Sequence, residues 1–227
     1  MAYNRCMDDP ETQYIIDFDS TLVSVETLDE LAKITLADDP RREKKIQNIA
    51  HITERGMNGE IDFPTSLRER LTQLGITREH IARLNTVLKQ HITPSVLHNI
   101  KWFREHAPRI HIISGGFREC IVPIAEMLGI DAKHIYANTF VYDAEGHVTG
   151  VDEKNLLAQA NGKARQAHAL ALSSDIIIIG DGMTDFEMKT AYSKAKFIYF
   201  AEHVRRERVM RLADDIWESF DRMGGDT

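Results

Sequence analysis

The sequence predicts an α/β protein: a parallel sheet flanked by helices, with a helical insertion after the first strand and a short β-hairpin further on. Two observations carry this. The runs Tyr14-Ile15-Ile16, Ile110-His111-Ile112-Ile113 and Ile176-Ile177-Ile178-Ile179 are almost wholly apolar, and Phe197-Ile198-Tyr199-Phe200 follows the same rule. β-branched runs without polar alternation suit strands covered on both faces, the habit of parallel sheets. Helical patterns alternate with them, through Ile121, Ile124 and Leu128 and through Ala164, Ala167 and Leu170.

Two stretches break the rhythm. From about Val23 to Thr93 there is no strand pattern, only amphipathic stripes such as Leu28, Leu31, Ile34 and Ile46, Ile49, Ile52. Asp62 before Phe63-Pro64 reads as an N-cap with proline in the first turn, opening a helix through Leu67, Leu71 and Leu74; Thr77 caps another, through Ile81, Leu84 and Leu88. The second break, Phe140 to Gly150, reads as two extended pieces around a glycine-containing turn, hence a hairpin.

Composition narrows the function. A chain of 227 residues with 43% apolar content can bury a substantial core. Cys6 and Cys120 lie far apart, so neither a disulfide framework nor a thiolate zinc site is indicated. No apolar run approaches a spanning helix, and the start, Met1 to Asp9, lacks the apolar stretch of a signal peptide, so no membrane partner is expected and the cytoplasm is the expected compartment. A net charge of -7 disfavours nucleic acid as a partner. The ten histidines form no compact metal-ligand spacing, and His111 reads as a core or edge histidine. The mixed-sign runs Arg41-Arg42-Glu43-Lys44-Lys45 and Arg205-Arg206-Glu207-Arg208 read as solvated helix faces.

Three of the apolar runs end directly in small polar clusters: Asp17-Phe18-Asp19-Ser20-Thr21, Ser114-Gly115-Gly116 and Gly180-Asp181-Gly182-Met183-Thr184-Asp185. Parallel strands deliver their carboxyl ends to one edge of a sheet, where open α/β folds bind ligands, so the clusters are expected to converge. Asp-x-Asp-x-Thr alone also suits a solvated turn. After a buried strand, aspartates at i and i+2 can turn to one side, one to attack and one to manage protons. A calcium loop is disfavoured, since the remaining ligand spacing is absent. Ser114-Gly115-Gly116-Phe117 entering a helix would offer free N–H groups to phosphate, or be an ordinary N-cap. Lys163, opening the helix before the third run, is solvated in the bland reading. Yet two like charges 4 Å apart repel by about 4 kcal/mol at an effective dielectric of 20, so Asp17, Asp19, Asp181 and Asp185 would exclude a phosphate without cations. Magnesium, which favours carboxylates with phosphate oxygen and water, and Lys163 would supply them.

With these clusters in this order, the sequence resembles the haloacid dehalogenase superfamily of phosphatases, and within it the phosphoserine phosphatases, from about Tyr14 to the end of the chain. The resemblance implies a Rossmann-like catalytic core, residues 1–23 and 94–227, with a helical cap, residues 24–93. It implies that Asp17 attacks phosphorus, forming an aspartyl-phosphate, and that Asp19 protonates the leaving oxygen and then activates water. Mg2+ would be held by Asp17, the Asp19 backbone carbonyl and Asp181, with Asp185, Thr184 and Gly182 supporting. Thr21, Ser114, Gly115 and Lys163 would bind the phosphoryl group. In the cap, Glu26 would read the substrate ammonium, Arg70 its carboxylate, and Met57 and Phe63 would close an apolar lid, with Gly116 beside the substrate. Each has a plainer alternative: a helix start for Glu26, a solvated arginine, two core side chains. Asn161 stands where the family commonly has glycine. The implied reaction releases serine from O-phospho-L-serine, a small phosphomonoester; phosphothreonine, phosphoethanolamine or a sugar phosphate are the alternatives within the same chemistry, and a receiver-like phosphorylated signalling module is the alternative outside it.

Overall fold

The computed structural model describes residues 11–224. Cys6 and the polar start read above for a missing leader lie outside the described residues. The strands are β1 (Gln13–Ile16), β2 (Ile110–Phe117), β3 (Ile135–Asn138), β4 (Phe140–Tyr142), β5 (Val148–Val151), β6 (Ile176–Gly180), β7 (Lys196–Phe200) and β8 (Asp215–Trp217). Six form one parallel sheet in the order β3-β2-β1-β6-β7-β8, and β4 pairs with β5 as the expected antiparallel hairpin.

The register explains the apolar runs. Tyr14 and Ile16 stand beside Ile110 and Ile112, and with Ile177 and Ile179 they enter the larger core. Ile15 points the other way, with Ile113, Ile176 and Ile178, into a second core. Both faces are covered, so neither parity of side chain needs to be polar, and each isoleucine so buried stabilises the fold by roughly 1.5–3 kcal/mol. The edge strand β8 opens on Asp215 and carries no such run, whereas β3 carries only the short run Ile135-Tyr136-Ala137 ahead of Asn138.

Between β1 and β2 the chain forms α1 (Thr27–Thr35), α2 (Arg42–Met57), α3 (Phe63–Leu71), α4 (Arg78–Leu88), α5 (Pro94–His98) and α6 (Ile100–His106). Asp62 caps α3 by accepting from Thr65 N at 2.8 Å, with Pro64 in the first turn. The helix ends at Leu71, short of the expected Leu74, which is nevertheless buried. Thr77 caps α4 in a reciprocal pair with His80. The chain leaves and re-enters the sheet region side by side: Val23 bridges Ile92, Ser24 N donates to the His91 carbonyl at 2.8 Å, and Thr93 N donates to the Leu22 carbonyl at 3.0 Å.

The remaining helices are α7 (Arg118–Met127), α8 (Gly162–Leu170), α9 (Met183–Met188) and α10 (Glu207–Met210). The hairpin is strapped to the helical segment, since Arg78 N donates to the Gly146 carbonyl at 3.2 Å and Val148 N to the Ile76 carbonyl at 2.9 Å. Cys120 is a buried free thiol, its pKa pushed up by burial. Among the described residues no helix is long and apolar enough to cross a membrane.

Candidate active site

Strand order turns around β1, with β2 on one side and β6 on the other, and the first and last acidic clusters leave these central neighbours. Asp17 follows β1, its N–H donating to the Ile179 carbonyl of β6 at 2.9 Å. Asp181 follows β6, and Asp185 lies in the first turn of α9. One carboxylate oxygen from each of Asp17, Asp181 and Asp185 lies within 4.8 Å of the others, and all three residues are buried. The close approach requires glycine at 180, where a Cβ would lie 2.4 Å from Asp185 Cγ. Lys163, at the start of α8, places Nζ 2.7 Å from Asp17 Oδ1 and 2.7 Å from Asp185 Oδ1. Asn161, just before it, has φ 55°, a left-handed conformation that asparagine tolerates better than most residues, which accounts for its standing where glycine is common.

The electrostatics are those of an acidic pit short of cations. Burial pushes the Asp17 carboxyl up to about 7, Asp185 adds to this, and Lys163 opposes it. Burial also holds Asp181 well above the usual carboxylate range, against the pull of Arg206. Burial alone would lower the Lys163 ammonium, but Asp17 and Asp185 outweigh it and hold it above its ordinary value. Both oxygens of Asp185 are engaged, Oδ1 by Lys163 and Oδ2 by Gly182 N at 2.9 Å. Asp181 differs: Arg206 binds Oδ2, while Oδ1 is buried without a hydrogen-bond partner. An orphaned buried oxygen of this kind costs about 1–3 kcal/mol, and more when charged. An all-oxygen carboxylate set with Asp181 Oδ1 open beside Asp17 fits a hard divalent cation.

A cavity of about 30 Å³ collects most of the expected residues. Asp17, Asp19, Ser114, Gly115, Gly116 and Lys163 line its sheet side, and Glu26, Met57, Phe63 and Arg70 its helical side. Phe63 lies directly over Gly115, where a Cβ would be 2.5 Å from its ring, and a Cβ on Gly182 would be 3.1 Å from Met57 Sδ. Arg70 is buried; its Nε donates to the Ser66 carbonyl at 3.2 Å and a terminal nitrogen to Thr53 Oγ1 at 3.3 Å, while Thr53 donates to Asp29 at 2.8 Å. Burial raises Asp29 to about 6, helped by Glu26. Glu26 stands at the N-cap of α1 without capping it, and accepts instead from Ser20 Oγ at 2.8 Å. Thr184 lies apart, on a neighbouring cavity of about 270 Å³ that shares Phe63, Gly115 and Lys163 with the first. Thr21 lines neither; its hydroxyl is buried without a partner, and its carbonyl accepts from Thr93 Oγ1 at 2.7 Å.

Two expectations need correction. β2 does not stop at Ile113: it runs on through Ser114, Gly115 and Gly116 to Phe117, with a register shift against β3, and α7 begins only at Arg118. The serine-glycine segment is therefore an irregular strand end, not a helix N-terminus, with Gly116 N donating to Ser114 Oγ at 2.9 Å. The second mixed-charge run is not a solvated helix face throughout. Arg205 and Arg208 are exposed, but Arg206 is extended backbone one residue ahead of α10 and is only 4% exposed. It pairs with Asp181 and reaches Glu54 of α2 at 3.3 Å. Asn138 was equally missed: at the end of β3 it donates to the Gly115 carbonyl at 2.9 Å and the Leu157 carbonyl at 3.3 Å, pinning the glycine segment. Its place in Ala137-Asn138-Thr139, polar after apolar, is the same signal that marked the other strand ends.

Buried aspartates, a lysine and a serine-glycine segment gathered at the ends of parallel strands define an α/β protein with a site suited to a phosphoryl group beside a divalent cation. Residues 15–189 match the haloacid dehalogenase-like hydrolase model, and the chain belongs to that family. The human phosphoserine phosphatase is 33% identical over 196 residues, covering 85% of this chain and 83% of its own. That of Methanocaldococcus jannaschii is 29% identical over 211 residues, covering 89% and 92%. The crystal structure of a phosphoserine phosphohydrolase-like protein from Francisella tularensis superposes with a TM-score of 0.83 at 28% identity, covering 94% of this chain and 98% of that one. The chain is thus a phosphoric monoester hydrolase similar to phosphoserine phosphatases.

Proposed function

We propose that this chain hydrolyses O-phospho-L-serine to L-serine and phosphate with Mg2+, through phosphorylation of Asp17. The observation that carries the reading is a single cavity with two chemistries: Asp17, Asp19, Ser114 and Lys163 on one side, Glu26 and Arg70 on the other. A carboxylate suits an ammonium and a guanidinium suits a carboxylate, the two groups that distinguish phosphoserine from a simple alkyl phosphate. The relatives named for phosphoserine support the same reading.

In this reading the Asp17 carboxylate attacks phosphorus while the bond to the serine oxygen breaks, and Asp19 gives that oxygen its proton. Water then attacks the phosphorus, Asp19 takes the water's proton, and the Asp17–phosphorus linkage breaks to release phosphate. Lys163, Ser114 and Gly115 hold phosphoryl oxygens, and Asp185 and Gly182 support, Asp185 by fixing Lys163. When bound, Mg2+ would neutralise charge between the carboxylates and the phosphoryl group, held by Asp17, Asp181 and the Asp19 carbonyl. Residues 24–93 act as the cap on a core of residues 1–23 and 94–227, a division supported by the paired strands of chain at Val23 and Ile92. A cavity of about 30 Å³ has room for no more than a few waters, so Phe63 and Met57 must withdraw for substrate to enter.

The test is a panel of phosphate esters with Mg2+, read as phosphate release. Phosphoserine is expected to be turned over far faster than phosphoethanolamine or sugar phosphates. Comparable turnover of the esters lacking a carboxylate would sink the phosphoserine assignment while leaving the phosphatase chemistry standing.

A further inference from the structure

We propose that Thr27 is a positioning residue for this reaction: it holds Asp19 by one carboxylate oxygen, Oδ1, and so leaves the other, Oδ2, to give and take the proton. The inference rests on the reading of Asp19 as acid and base. Thr27 is the first residue of α1 and is 1% exposed. The first N–H groups of a helix have no partner inside it, and the N-cap residue here, Glu26, provides none. The partner comes from eight residues upstream. Thr27 N donates to Asp19 Oδ1 at 3.1 Å, and Thr27 Oγ1 donates to the same oxygen.

Two donors on one oxygen distinguish the two ends of the carboxyl. A protonated carboxyl carries its hydrogen on one oxygen and accepts on the other. With Oδ1 accepting twice, the transferable proton belongs on Oδ2. That oxygen faces the reaction side: a Cβ on Gly116 would lie 3.6 Å from it, and Asp19 and Gly116 line the same cavity as Asp17. The proton on Oδ2 passes to the ester oxygen as its bond to phosphorus breaks, and the Asp19 carboxylate regains one from the attacking water, so the cycle balances. The arrangement also joins two parts of the fold. Asp19 leaves the sheet, whereas Thr27 opens the helical segment that carries Met57 and Phe63. Asp19 is therefore aimed only while α1 is seated, which couples proton transfer to the seating of that segment.

Thr27→Val keeps the branched shape and the backbone N–H and removes only the hydroxyl donor, and Thr27→Ala is a second hydroxyl-free variant. Both are expected to lower kcat on phosphoserine by roughly 10- to 100-fold, a part of the roughly 10²–10⁴-fold that general acid–base catalysis contributes, because the Thr27 N–H donor remains, with KM little changed. Thr27→Ser, which restores the donor, is expected to recover most of kcat. Melting curves near that of the parent protein show that the variants are folded. A hydroxyl-free variant with parental kcat would overturn the proposal, as would a serine variant as slow as the valine one, or a loss appearing in KM alone. Asp17→Asn is measured alongside: if it still turns over, the aspartyl-phosphate reading itself fails, whereas an inactive Asp17→Asn beside a fully active Thr27→Val removes only the role of Thr27.

Discussion

The two sides of the cavity satisfy their charges differently. On the sheet side the charges answer one another directly: Lys163 lies 2.7 Å from both Asp17 and Asp185, and Arg206 closes on Asp181. On the helical side Arg70 is held by a carbonyl and a hydroxyl, with no salt bridge to a carboxylate among the described residues, and Glu26 receives one serine hydroxyl. A charge fixed by neutral partners keeps its field for a ligand, whereas a charge fixed by its opposite is largely spent on holding the site together. In the proposed reading the sheet side would carry chemistry common to all phosphate esters, and the helical side the choice among them.

The sharpest way to break this comparison is Asp17→Asn. An amide does not attack phosphorus, so phosphate release is expected to fall by roughly 10⁴-fold or more on every ester. Turnover at the parental rate would remove Asp17 as nucleophile. Arg70→Ala separates the two sides. Loss of a buried guanidinium that meets the substrate carboxylate is expected to lower kcat/KM for phosphoserine by about 10³-fold while largely sparing phosphoethanolamine. Equal losses on both esters would make Arg70 a structural residue only.

Arg206→Ala probes the sheet side without touching the attacking group. Removing one partner of a buried ion pair leaves the other uncompensated, which costs about 3 kcal/mol. The contact to Glu54, which is half exposed, adds little. A melting temperature lower by about 6–12 °C is expected for a chain of this size. An unchanged melting curve would mean that Asp181 is not held by this arginine.

Which of these residues the sequence disclosed follows from distance along the chain. Asp17, Asp181 and Asp185 sit at the ends of apolar runs, so a strand pattern and a polar cluster occur within a few residues and can be read together. Lys163 was found because four carboxylates at one sheet edge demand a cation. The core strands were legible because burial on both faces leaves no polar alternation; β8 has three residues and opens on an aspartate, and in β3 the small Ala137 and the half-buried Tyr136 dilute the β-branched run. Arg206 meets Asp181 from 25 positions away, and its burial depends on one extended residue before a four-residue helix. No periodicity in a run of mixed charge distinguishes it from exposed Arg205. Thr27 was hidden for a related reason: its partner lies across the turn that separates sheet from helix, and a threonine beside a helix start looks like an ordinary cap.

The smallest expected effect lies outside the cavity lining, on the second face of the sheet. His111 is 7% exposed, with Nε2 3.2 Å from Gln13 Oε1, Nδ1 buried without a partner, and the His134 ring 4.9 Å away; the Tyr136 ring is 6.3 Å away. Burial first, and His134 second, push its pKa from 6.5 down to about 4. The unfolded chain therefore takes up this proton more readily than the folded one. Its contribution is complete above pH 6.5 and is lost as the pH falls toward 4, the reverse of a histidine paired with a carboxylate. Between pH 7 and pH 5 this one group is expected to cost about 1 kcal/mol, reduced from the full shift because water still reaches part of the ring. Urea unfolding at both pH values checks it: His111→Gln, which can still meet Gln13, should narrow the gap by about that amount, and an unchanged gap would assign the acid sensitivity to other groups.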